Sequence, residues 1–547
     1  MPSRLLNQAD PAKLPLMQAE PGQRYLSISL PRLATDRIAR LRHGQAWRLA
    51  APPDAPPLVI AGRRSNTLRV TALDEKADAA GLACGMGLAD ARAIMPVIEA
   101  IQEDAQADGI LLEAVADWCD RYTPLVALDR PDGLILDITG CARLFGGETS
   151  MLGEILSRLF HQGFAATGAV APTPGAAFAL SRFKPLQGLN AANHCASGLI
   201  VSADNVPGAI APLPLAALRL DGEMLSALAR LGLRSIGQIM ARPRAPLARR
   251  FGKGLLLRLD RALGSVEEAI SPRLPAPLRM VERRLAEAIT RTEDIETLVE
   301  RLAAGLCQAM ERRGEGARIL DLALFRVDGA VTRTGVGTSR PLRDPQAIAR
   351  LFHERLAALH DDMDAGCGFD LIRLAASSCE PLELAEPSFL GTGTNIDATA
   401  SLTDKLAARL GGHSVLRARF NDSHLPENAE TLHPACEEPA ARDAAALPGH
   451  SALPPERPLR LFARPEAVEA LAQVPDGPPV RFRWRRVLHD VVRAEGPERI
   501  AGEWWRNSTM TRDYYRIEDG NGRRFWLFRE GLYGADAPRW FVHGLFA

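Results

Sequence analysis

The stretch PDGLILDITG, residues 131–140, sets one carboxylate, Asp132, ahead of an apolar run and another, Asp137, near its end. Adjacent acids at such a strand would suit metal-dependent phosphoryl transfer, because two divalent ions need several anionic oxygens to hold them together. Here Asp132 is followed by Gly133, and Asp-Gly is first of all a turn signal. Asp137 is expected to satisfy backbone donors at the strand end. A second chemistry is electrostatic. RPRAPLARRFGKGLLLRLDR, residues 242–261, carries Arg242, Arg244, Arg249, Arg250, Lys253, Arg258 and Arg261 against Asp260 alone. It follows LPLAALRLDGEMLSALARLGLRSIGQIMA, where leucines at helical spacing surround Leu-Gly-Leu. A helix-Gly-helix hairpin offers backbone N–H groups to phosphate, so the combination points to a nucleic-acid backbone contact; the alternative is a solvated helical face. The third chemistry lies in the last 65 residues, which hold five of the seven tryptophans, interleaved with RFRWRR and RDYYR. Aromatic and arginine side chains dominate protein and single-stranded nucleic-acid interfaces, making Trp504, Trp505, Tyr514, Tyr515, Trp526 and Trp540 candidate partner-binding residues. The alternation in RFWLF fits a small β-domain core equally well.

The elements around these residues follow from periodicity. RYLSISL (24–30) alternates as a strand and RLATDRIARLR follows as a helix. A helix at 150–161, a strand at 165–171 and a helix from 174 continue an α+β region to residue 205, after an N-terminal tail of residues 1–23. Residues 206–272 read as short helices. Residues 273–378 read as β-α-β-β-α-β, with helix stripes at Ile295, Leu298, Val299, Leu302, Leu306, Met310 and at Ile348, Leu351, Phe352, Leu356, Leu359. Residues 379–475, rich in Pro, Ala, Glu and Gly with one short helix, read as a linker and docking region, and 476–547 as an aromatic and Arg-rich interaction domain.

Composition bounds the function. A chain of 547 residues that is 46% apolar supports several folded domains. Its 66 basic and 66 acidic residues leave no net field to attract a polyanion, so nucleic acid would have to be held by local patches. The eight cysteines form no C-x-x-C pair, which argues against a zinc site or a disulfide framework and favours a reducing cytoplasm. No run reaches the roughly 18 apolar residues of a membrane span, so a soluble, unexported protein is expected.

With these parts in order, residues 24–378 resemble the Y-family translesion DNA polymerases: an α+β palm with inserted fingers, a helix-hairpin-helix thumb and a β-α-β-β-α-β little finger. The resemblance rests on AGLACGMGLADARAIMP (80–96), GLILDITGCARLFGG (133–147) and the hairpin with RRFGK. The tail, from EWWRNSTMTRDYYRIEDGNGRRFWLFREGLYG through RWFVHGLFA, resembles that of the ImuB-type, polymerase-like subunits of bacterial mutagenesis cassettes. The resemblance implies where a catalytic site would stand. Active members carry Asp-Met-Asp, a small residue and two aromatics on the first strand; this chain has Ser27, Ile28 and Ser29, with Pro31 and Arg32 in the aromatic positions. The usual Asp-Glu is Asp132-Gly133. In the triphosphate pocket, Glu75 and Asp78 stand for a Tyr and an Arg, and Phe178 for a basic residue.

The resemblance therefore implies a protein that binds primer-template DNA without extending it, uses no cofactor or metal, and acts in SOS-induced translesion synthesis. It further implies that the protein links the sliding clamp, an ImuA-type RecA-like protein and an error-prone replicative-type polymerase. Clamp docking would use EPSFLG (Glu386, Phe389, Leu390) or PLRLF (Leu459, Leu461, Phe462). The alternatives are a residually active, magnesium-dependent polymerase and an interaction module without DNA contact.

Overall fold

The computed structural model describes residues 22–49, 55–183, 198–359, 363–382, 394–436, 456–473, 477–503, 505–506, 510–531 and 538–546. The chain divides into two compact units, residues 1–335 with 341–384 and residues 385–547 with 336–340.

In the first unit, β1 (Tyr25–Ser29) leads into α1 (Leu33–His43). The fingers are a three-stranded sheet, β2 (Leu58–Arg64), β3 (Thr67–Leu73) and, after α2 (Glu75–Ala79) and α3 (Leu88–Ile94), β4 (Glu99–Gln102), in the order β3-β2-β4. The palm continues through α4 (Ala105–Cys119), the hairpin of β5 (Val126–Asp129) and β6 (Gly133–Asp137), α5 (Glu148–His161), β7 (Thr167–Ala171), α6 (Pro174–Phe183) and β8 (Leu199–Ile200). Its sheet runs β5-β6-β1-β7-β8, so β1 lies at the centre. Side chains alternate across it with period two. Leu26, Ile28, Leu134 and Leu136 face the side filled by α4 and α5, where Leu112, Val115, Trp118, Leu152, Ile155 and Leu156 are buried. Each such aliphatic contributes roughly 1.5–3 kcal/mol of transfer free energy. Tyr25 and Ile135 face the other side, under Ala176, Ala177 and Leu180 of α6.

The thumb is helical: α7 (Val206–Ile210), α8 (Gly222–Arg230), α9 (Ile236–Met240), α10 (Arg244–Phe251) and α11 (Lys253–Leu263). The Asp221 carboxylate caps α8 by accepting from the Met224 N–H at 2.7 Å. Gly232 (φ +74°) ends the first hairpin helix and Gly252 (φ +77°) separates α10 from α11, both in the left-handed region. The little finger follows as β9 (Arg279–Ile289), α12 (Thr292–Glu311), β10 (Glu315–Arg326), β11 (Val331–Leu342), α13 (Pro345–Ala358) and β12 (Phe369–Pro381), with sheet order β11-β10-β12-β9. The β-α-β-β-α-β expectation is met. An ionic clasp joins it to the palm: Arg121 donates to Asp370 at 2.7 Å, Arg273 to Asp120 at 2.6 Å, and Arg373 to the Asp120 carbonyl at 2.8 Å.

The second unit corrects the expectation of a linker over 379–475. It contains a 17-residue helix, α14 (Thr394–Leu410), a hairpin of β13 (Leu416–Phe420) and β14 (Glu430–Pro434), and then β15 (Arg460–Ala472). With β16 (Pro479–Trp484), β17 (Val487–Ile500), β18 (Arg512–Asp519), β19 (Arg524–Glu530) and β20 (Arg539–Leu545), β15 closes a six-stranded barrel. Its inward residues, Phe462, Val468 and Ala470, are small or widely spaced, and Pro465 interrupts the pattern, so the strand is hard to read from sequence. Closure leaves no unpaired strand edge.

Candidate functional site

The candidate site lies on the palm face under α6. Register places Ser29 directly across from Gly133 and Ser27 across from Ile135. Both serines are buried, and the Ser27 hydroxyl shares a hydrogen bond of 2.9 Å with that of Ser181 on α6. One residue on, Arg182 donates to the Asp132 carboxylate at 2.5 Å. Asp132 stands in the turn between β5 and β6, as Asp-Gly predicts, and its side chain is taken by this ion pair. A Cβ added at Gly133 would lie 2.9 Å from Arg182 Nη2 and 3.0 Å from the Asp129 carbonyl. A longer side chain at 133 would therefore have to displace the guanidinium. Asp137 accepts from the Thr139 N–H at 2.9 Å, the expected strand-end role.

Sequence reasoning missed Asp129. Its carboxylate lies 3.1 Å from Arg219 and 3.9 Å from Arg182, so two acids, Asp129 and Asp132, flank one arginine. Burial pushes the Asp129 pKa up while Arg219 and Arg182 pull against it. Arg219 in turn covers the Phe178 ring at 4.0 Å from its centroid, and Arg182 lies 5.2 Å from the same ring. The signals available in sequence were the alternation of VALD and the Arg one residue after Ser181; neither says that they meet.

Glu75 and Asp78 do not stand as bare negative charges. Arg32 on α1 donates to Asp78 at 2.9 Å and lies 3.8 Å from Glu75, which also accepts from Arg48 at 2.9 Å. This corrects the expectation that the acids simply repel a triphosphate: the charge reversal is matched by the Arg that occupies a usual aromatic position. Arg48 also binds the buried Asp36 at 2.7 Å; burial raises the Asp36 pKa to about 6 against the pull of Arg48 and the Ala165 N–H.

In the thumb, Arg242, Arg249, Arg250 and Lys253 are exposed. Arg244 is paired with Asp260, and Arg258 lies 3.7 Å from Glu268, so these two are partly neutralised. The C-terminal aromatics require a larger correction. Tyr514, Tyr515, Trp526 and Trp540 are buried: Tyr515 and Trp540 line the barrel core, and Tyr514 and Trp526 stack 4.3 Å apart beneath Leu425. Their burial removes them as a partner surface. Trp505 remains 64% exposed, and Trp504 lies outside the described residues. Glu386, Phe389 and Leu390 also lie outside the described residues. In PLRLF, Leu459 is exposed, but Leu461 pairs with Gly544 in the barrel and Phe462 packs on Trp484 at 6.1 Å, so the apolar pair is not a free peptide end.

Residues 51–182 match the impB/mucB/samB family and residues 280–387 match its C-terminal domain, which defines the class as polymerase-like proteins of that family. DNA polymerase IV of Salmonella paratyphi A is 28% identical over 282 residues, 51% of this chain and 74% of that protein. Protein ImuB of Caulobacter vibrioides is 42% identical over 479 residues, covering 85% of this chain and all of that protein. The chain belongs to the ImuB family. Among solved structures, DinB from Sulfolobus solfataricus aligns with a TM-score of 0.36 and 13% identity, over 66% of this chain and 100% of that one. Among the described residues, no helix is long and apolar enough to cross a membrane.

Proposed function

We propose that this protein is a non-catalytic, cytoplasmic DNA-binding adaptor of SOS-induced, error-prone translesion synthesis. The observation that carries the reading is the Arg182–Asp132 pair against Gly133. A guanidinium neutralises the carboxylate on which a divalent ion would depend, and it fills the space a metal-binding Glu would need. The hydroxyls of Ser27 and Ser29 are weak ligands for magnesium, which takes anionic oxygens. The residues present do not suit a two-ion site, and no step is routed through one. The exposed Arg242, Arg249, Arg250 and Lys253 would neutralise primer-template phosphates without reading sequence.

As an adaptor, the protein would join DNA, the sliding clamp, an ImuA-type RecA-like protein and an error-prone replicative-type polymerase. Clamp docking is assigned to Glu386, Phe389 and Leu390, because PLRLF is tied into the barrel. Trp505 is the aromatic offered to a protein partner. A residual polymerase is the second reading, favoured by Asp129 beside Asp132. Primer extension with magnesium or manganese separates the two. The adaptor reading expects primer-template binding with no incorporation; template-directed incorporation that disappears in Asp132→Ala overturns it.

A further inference from the structure

The sequence RFRWRR is not used by the palm reading, and the structure gives it a particular form. Arg485 and Arg486 are the two central residues of the hairpin between β16 and β17, with φ of +49° and +69°. Two-residue hairpins adopt this left-handed pair of conformations most readily with Asn-Gly, because any side chain with a Cβ is strained there. Two consecutive arginines at the tip are thus held against the local preference, a pattern typical of functional turns.

The tip also carries a stack. The Arg485 guanidinium lies 4.6 Å from the Trp484 ring and 5.8 Å from the Phe462 ring, and the two rings lie 6.1 Å apart with an interplanar angle of 24°. Glu466 anchors the arrangement by accepting from Trp484 Nε1 at 2.8 Å and from Arg485 at 2.5 Å. Arg460 reaches the opposite strand of the patch, 6.0 Å from the Phe462 ring. Arg460 and Arg486 have no carboxylate partner among the described residues, whereas Arg481 and Arg483 are paired with Asp490 and Glu469.

We propose that this hairpin tip is a binding site for single-stranded nucleic acid, separate from the thumb. Arg460 and Arg486 supply phosphate contacts, and the exposed guanidinium of Arg485, backed by Trp484 and Phe462, supplies a flat cationic surface on which a base stacks. An acidic protein segment would use the same charges but has no use for the planar stack. The site belongs to the barrel alone and does not depend on whether the palm is catalytic.

The test uses the full chain with Arg249, Arg250 and Lys253 replaced by Ala, so that thumb binding is constant, and follows a labelled oligothymidylate by fluorescence anisotropy. The double substitution R485N/R486G installs the preferred turn pair, so the barrel's thermal unfolding temperature is expected to stay level or rise. The affinity at low salt is expected to fall by about fivefold to tenfold, and the slope of log affinity against log salt to shrink by about 1.4, for two phosphate contacts at roughly 0.7 each. Unchanged affinity and slope overturn the proposal. So does displacement of the oligothymidylate by polyglutamate at equal charge concentration, which would mark the patch as a site for an acidic protein.

Discussion

The Arg182–Asp132 pair makes a prediction that can be worked through. Replacing Arg182 with Met keeps the length of the side chain and removes the charge. The partners are 2.5 Å apart and each is about one-fifth exposed. At an effective dielectric constant near 20, charges about 3 Å apart attract by roughly 5 kcal/mol. Desolvation of both groups consumes much of that, and breaking a fully buried pair costs about 3–5 kcal/mol. With a fifth of each side chain wet, the expected loss is about 2 kcal/mol. Asp132→Asn should lose less, because Arg182 keeps Asp129 at 3.9 Å. The double variant should show a coupling of at least about 1 kcal/mol, as expected for residues in contact. Hydrogen exchange at the amides of β1 and β6 gives the local opening free energies directly. If Arg182 stands where a cation is needed, magnesium should stabilise Arg182→Met by gaining Asp129 and Asp132, and leave the wild type unmoved. A loss under about 0.5 kcal/mol, or a coupling near zero, would refute the view that this arginine neutralises the remnant site.

Other expectations follow from the same geometry. Neutralising Arg249, Arg250 and Lys253 together should weaken primer-template binding and shrink its salt slope by about 2.7, at roughly 0.9 per phosphate contact; titrations at several salt concentrations read this. Trp526→Ala should unfold or strongly destabilise the barrel, by about 3–5 kcal/mol, while Trp505→Ala leaves its melting temperature unchanged; circular dichroism melts of both separate core from surface. Asp36 has a folded pKa of about 6, above its unfolded value, so the folded state binds the extra proton between about pH 4 and 6. Its contribution is most favourable below that window and declines as pH rises through it. Unfolding temperatures of Asp36→Asn should lack that component when compared with wild type across the same range.

The sequence alone determined the topology of the first unit. Alternation in YLSIS, the leucine stripes of α12 and α13, and the Leu-Gly-Leu turn are local patterns whose period fixes which face must be buried. It also determined that Ser27, Ser29 and Gly133 occupy the positions where carboxylates were expected, because residue type needs no coordinates. What the tertiary structure alone decided is what replaced them. Arg182 lies 50 residues from Asp132 in the chain, and Arg32 46 residues from Asp78; a charge pattern does not say which of 66 basic residues closes on which acid. The barrel shows the same limit. An aromatic run reads alike whether its rings point inward or outward, and it was strand pairing, with Tyr514 opposite Phe528 and Tyr515 opposite Leu527, that buried Tyr514, Tyr515, Trp526 and Trp540 and left Arg485 and Arg486 at an open tip. Residue chemistry is carried by the chain, but neutralisation and burial depend on distance, and distance is set only when the sheet and its covering helix close.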